Sequence, residues 1–221
     1  MRCGQMLSLL PTGDISPSLF YSRSRDTQSC CNDFSSFVDA NICARIWLYP
    51  TNSRQRTTPE DTMNSIMTEY WPTFEMYQSL RTQLMEILTD EELRFSPGGA
   101  NPTLGALCKE IGEIEHAYIE SFKHFTMDFS YRNPEAALEQ SVARLTAWFA
   151  ELDQELKATI AGLSEEEVQN KVVVRGPNFQ LPLQIQLAVY QEALLIFYGK
   201  ATVYLKALNK EPSQQWREWI G

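Results

Sequence analysis

From Met63 onward the apolar residues recur at alternating steps of three and four, the spacing that places side chains on one face of an α-helix. Trp71, Phe74, Tyr77, Leu80, Leu84 and Leu88 make the first stripe and predict a helix over about 69–88. Pro72 is tolerated there because the N–H groups of an opening turn have no partner inside the helix. Leu104, Leu107, Ile111, Ile114, Tyr118, Ile119 and Phe122 predict a second helix from Thr103 to about His124, with the threonine hydroxyl as its cap. Asn133-Pro134 reads as the start of a third, carrying Leu138, Val142, Leu145, Phe149, Leu152 and Leu156 and stopped by Gly162. The fourth begins near Pro182 and runs to about Leu208, with Leu183, Leu187, Tyr190, Leu194, Phe197, Ala201, Leu205 and Leu208 in register. Its only charges are Glu192, Lys200 and Lys206, so it is expected to be the most buried of the set.

The punctuation between stripes fits this division. Thr89 with Glu92 and Ser164 with Glu167 have capping-box spacing, so each half of the domain pairs a long helix with a short acidic turn. SPGGANP at 96–102 is a loop, Val172–Val174 a brief β-prone run closed by Arg175-Gly176-Pro177, and Ser213 caps a last amphipathic turn after Asn209. Four long helices with short connections predict an all-α four-helix bundle over 63–221.

Charge separates the chain into two parts. The net charge is -9 over 221 residues, yet residues 1–62 hold six arginines, no lysine and six acids, so the whole imbalance belongs to the later part. An acidic domain gives nucleic-acid phosphates and anionic lipid headgroups no general reason to bind, and no stretch approaches the roughly 18 apolar residues of a membrane span. No nucleic-acid or membrane partner is expected, and the location expected is cytoplasmic. The early segment also holds Cys3, Cys30, Cys31 and Cys43 amid serines and prolines, without a helical period. As a secretory signal its apolar run from Met6 to Leu10 is too short, and as an organellar transit peptide it carries too many aspartates. The reading preferred is a poorly ordered extension, translated upstream of a true start at Met63 or Met67. The Cys30-Cys31 pair lacks a C-x-x-C partner or a nearby histidine, so neither a zinc site nor a disulfide framework follows from it.

The stretch TLGALCKEIGEIEHAYIESF, after a Pro- and Gly-containing loop, resembles the second helix of the DinB-like superfamily, and EALLIFYGKATVYLKAL resembles its fourth. The resemblance covers about 69–221. It implies a four-helix bundle, often dimeric, in which three histidines hold a divalent metal and some members transfer or cleave low-molecular-weight thiol adducts. Counted from Thr103, the histidine position of the second helix falls on Glu110. Anchored on Gly199, the two positions of the fourth fall on Ala193 and Phe197, with Lys200 where the family has glutamine. Neither Ala nor Phe offers a lone pair to a metal, so the inherited site is expected to be lost.

The other polar residues give fewer signals. Glu113-x-x-His116 has the step of a ferritin-like di-iron motif, but the fourth helix sets Leu195 three residues after Glu192, so the second copy is missing. His116 and His124 read as surface or helix-end residues, and Cys108 as core. Glu192 lies in an otherwise apolar run, where a carboxylate needs a partner or a proton. Lys109, Arg144, Lys200, Tyr190, Tyr198 and Tyr204 are the candidates to meet it. The expected site is a small-ligand pocket at the ancestral metal position, formed by Glu110, Glu192, Ala193, Phe197 and Lys200. No cofactor is expected, the alternative being a divalent metal in a rebuilt, carboxylate-rich transferase or hydrolase site. The remaining expectation is a homodimer, since the fourth helix is apolar on more than one face. Whether the protein is an enzyme stays open.

Overall fold

The computed structural model describes residues 63–221, and the expected N-terminal extension, 1–62, lies outside them. The described part is an all-α four-helix bundle: α1 (Trp71–Ile87), α2 (Leu104–His124), α3 (Val142–Ala161) and α5 (Leu183–Ala207) are its long helices. Two short helices, α4 (Glu165–Asn170) and α6 (Gln214–Trp219), and a two-stranded antiparallel hairpin, β1 (Val172–Gly176) and β2 (Phe179–Pro182), complete it. α1 and α2 each pack beside α3 and α5 and therefore face one another diagonally across the core.

Several boundaries follow from single polar side chains. Thr103 accepts the Ala106 N–H and opens α2, while Ser164 and Glu167 close a full capping box on α4. Ser213 caps α6, and Asn209 takes the left-handed conformation just past α5. α1 is entered one turn earlier than the stripe indicates, through a π-helical turn, Ile66–Tyr70. Asn64 accounts for this: its Oδ1 accepts the Met67 N–H while its Nδ2 donates to the Ile160 and Leu163 carbonyls at the end of α3. One amide thus starts one helix and ends another.

Two elements differ from expectation. α3 starts at Val142, not near Pro134, because Ser141 caps it and Asp90 accepts the Val142 N–H. The residues between form a 3₁₀ turn, Ala136–Gln140, whose Leu138 is buried against the core. Gly105 lets that turn approach α2: a Cβ there would lie 1.9 Å from the Glu139 carbonyl oxygen. The β-prone run is also more than an isolated strand. β1 pairs with β2 on one side, and on the other Val174 exchanges hydrogen bonds with the 125–127 segment, which Phe125 turns into position from a left-handed conformation.

Candidate functional site

The most polar part of the core comes from residues that lie on or beside the apolar stripes. Arg81 on α1 is buried and donates through Nη1 to Glu115 Oε2 on α2 at 2.5 Å and through Nη2 to Asp153 Oδ1 on α3 at 2.6 Å. Gln78, one turn earlier, donates to both carboxylates, at 3.3 and 2.5 Å. The Arg81 guanidinium also covers the Phe149 ring at 4.1 Å. On α5, the Tyr198 hydroxyl donates to the Tyr77 carbonyl, whereas the buried Tyr190 hydroxyl has no partner among the described residues. Side chains of α1, α2 and α3 therefore form one interior network, and α5 is bonded to the α1 backbone beside it.

Its electrostatics follow from two acids sharing one guanidinium. Burial works against the charge on Arg81, but Glu115, then Tyr190 and Asp153, outweigh it and hold the group well above its ordinary value. For Asp153, burial comes first and Glu115 adds to it; Arg81 and Gln78 pull the other way, and the carboxyl is pushed up to about 7. Burial also raises the Cys108 thiol to about 12, against a smaller opposing effect of Arg81, so this sulfur is core, as its position on the stripe suggests.

The residues expected to line a pocket separate in the structure. α2 and α5 run antiparallel, with Gln186 bonded to Ser121 at one end and Tyr204 to the Pro102 carbonyl at the other, which puts Glu110 level with Phe197. Yet Glu110 is exposed, because α2 turns Leu107, Cys108 and Ile111 inward on either side of it. Phe197 is buried, Ala193 half-buried and Lys200 exposed. Glu110, Ala193 and Phe197 do not converge on one interior point. None of the candidate partners reaches Glu192: Lys109 pairs with Glu139, Arg144 with Glu135, and Tyr198 and Tyr204 with backbone carbonyls. Glu192 is half-buried, its carboxyl raised by that burial.

Glu113 and His116 share a face of α2, as their step requires, and hold a connection in place. Glu113 accepts the Asn133 N–H at 2.9 Å and faces Arg132 at 3.7 Å, while His116 stacks on Tyr131 with ring centres 3.8 Å apart. His124, at the end of the helix, is exposed and lies 3.3 Å from Glu120.

Sequence reasoning missed Gln78, Arg81, Glu115 and Asp153, and it read Arg175 only as the close of a strand. The signal was present: Phe74, Gln78, Arg81 and Met85 follow helical steps, as do Ile111, Glu115 and Tyr118, and Phe149, Asp153 and Leu156. One guanidinium and two carboxyl groups on the inner faces of three helices can be recognised only once those faces are known to meet.

A model of the DinB superfamily matches residues 73–191, from the opening turn of α1 to the middle of α5. No curated protein matches the chain at a significant level. Among solved structures, a DinB-like protein of Bacillus subtilis, YjoA, is similar with a TM-score of 0.51 and 14% identity, over 63% of this chain and 92% of that one. That likeness concerns the fold alone. The family model spans more than half of the chain, and the chain belongs to the DinB superfamily.

Proposed function

We propose that this DinB-superfamily protein acts as a small-ligand-binding or interaction domain and not as a metal-dependent transferase or hydrolase. The observation that carries the reading is the Arg81 guanidinium clamped by Glu115 and Asp153: where the four long helices meet, the fixed cation is a side chain of the protein. Carboxylates already engaged by a guanidinium must give up that partner before they can bind a metal.

The residues at the positions that the resemblance assigns to metal ligands do not fit a divalent ion. Ala193 and Phe197 have no donor atom, Phe197 fills its own space in the core, and Glu110 faces outward. The test is metal analysis of protein purified without chelators. The expected result is substoichiometric metal, and one equivalent of zinc, nickel, iron or manganese that persists through dialysis overturns the reading.

A further inference from the structure

We propose that Asp153 is a proton latch: in the closed bundle its Oδ2 carries a hydrogen donated to Glu115, and release of that proton to solvent frees Asp153 from α1 and α2. The inference rests on the bonds of the interior network and goes beyond the ligand-binding reading.

Donors are shared unequally between the two acids. Both oxygens of Glu115 accept one: Oε2 takes Arg81 Nη1 at 2.5 Å and Oε1 takes Gln78 Nε2 at 3.3 Å. Both donors of Asp153 instead go to a single oxygen, since Arg81 Nη2 reaches Oδ1 at 2.6 Å and Gln78 Nε2 reaches it at 2.5 Å. Oδ2 accepts no N–H among the described residues. A neutral carboxylic acid keeps one oxygen as acceptor and turns the other into an O–H donor, which is the pattern at Asp153 and not at Glu115. Glu115 lies within hydrogen-bond reach of that O–H.

Charge leads to the same assignment. Among the described residues Arg81 is the one cation within ion-pair distance of either acid, and one guanidinium compensates one buried carboxylate. A second carboxylate on the same guanidinium and the same amide would leave a negative charge unpaired in the interior. The surrounding groups cannot balance it. Gln78 is uncharged, and Tyr190 and Tyr198 from α5 and Cys108 from α2 are held neutral, raised foremost by burial.

Exposure decides which acid can move. The Asp153 side chain is 29% exposed and that of Glu115 0%, so solvent can take the proton from Asp153 and hydrate the carboxylate that results. Arg81 and Gln78 tie Asp153 to α1, and the O–H ties it to α2. Turning outward undoes these bonds together. Arg81 keeps Glu115, while the Phe149 ring under the guanidinium and the exposed Lys157–Glu75 pair still hold α3 to α1. The latch therefore opens without unfolding the bundle.

The experiment is a magnetic-resonance pH titration of the isotopically labelled full chain, following the side-chain carboxyl carbons of Asp153 and Glu115 together with the nitrogens of Gln78 and Arg81. The Asp153 carbon is expected to pass from the neutral acid to the carboxylate with a midpoint near 7, while Glu115 keeps a carboxylate signal throughout. The Gln78 and Arg81 nitrogens should shift with the same midpoint. In Asp153→Asn, whose amide oxygen accepts and whose amide N–H donates as the neutral acid does, those nitrogens should hold still across the interval. A carboxylate signal from Asp153 at every pH, a Glu115 that titrates in its place, or Gln78 and Arg81 signals that ignore the transition overturns the proposal. So does an Asp153→Asn chain that fails to fold by circular dichroism, because that variant reproduces every bond of the closed state.

Discussion

Arg81 on α1 and Glu115 on α2 meet across the bundle diagonal at 2.5 Å, with side-chain exposures of 1% and 0%. At that depth each charge depends on the other, because neither has water to fall back on. Removing one side of such a pair typically costs about 3–5 kcal/mol, since it strands a buried charge, while replacing the whole set with apolar residues of similar volume is often neutral. Arg81→Met alone should therefore destabilise the domain by an amount in that range, measured by urea unfolding. Adding Glu115→Leu and Asp153→Leu to the same chain should recover most of the loss. If Arg81→Met changes stability by under about 1 kcal/mol, comparable to exposed pairs, the network is not the anchor described here.

Asp153 links the same network to pH. Its carboxyl is raised to about 7 from an ordinary value near 3.8, chiefly by burial and then by Glu115. The folded protein therefore holds a proton that the unfolded chain has released. Between those two values the native state binds more protons, so stability from this group is intact below about pH 4 and falls as pH rises towards 7. Asp153→Asn keeps the shape without the titration. Its melting temperature should fall less than that of the parent across this interval, and parallel profiles would assign the pH dependence to other groups.

The helices were legible because burial on a helix repeats at a fixed step, and the caps at Thr103, Ser164 and Ser213 depend on side chains within three residues of them. The interior network was not, for the same reason in reverse. The stripe through Tyr77, Leu80 and Leu84 is centred slightly off the true inner face: Tyr77 is half-buried while Gln78 and Arg81 are buried. A charge one residue from a stripe looks the same in sequence whether it turns inward or outward, and only the diagonal partner decides. The converse error placed Glu110 inside. β2 was missed because Phe179–Pro182 is short and ends in a proline, which reads as a helix start, and its strand character comes from pairing with β1.

Gly105 and Gly112 separate two kinds of close approach. A Cβ at Gly105 would meet the backbone of Glu139 at 1.9 Å, and one at Gly112 would meet the Trp148 ring at 2.4 Å. A backbone carbonyl moves only with its whole segment, whereas the half-buried indole can turn aside. Gly105→Ala should thus cost more than Gly112→Ala, with about 1–3 kcal/mol or more for the first, as for other overpacked sites. Denaturant titration of the two variants orders them, and the reverse order would show that the 3₁₀ turn carrying Glu139 shifts freely.

α5 bears on assembly. Inward it buries Leu187, Tyr190, Leu194, Phe197, Ala201 and Leu205, yet Ile196 and Val203 stand 38% and 56% exposed, and a Cβ at Gly199 between them would meet nothing within 4 Å among the described residues. An apolar strip that the bundle leaves uncovered, with a glycine where another backbone can come close, suits a second copy of the same helix across a two-fold axis. A homodimer is the expected state at micromolar concentration by light scattering. Val203→Glu would place like charges across the axis and shift the population to monomer without lowering the helical circular dichroism signal. A parent protein that scatters as a monomer under the same conditions would remove the dimer and leave the strip as ordinary surface.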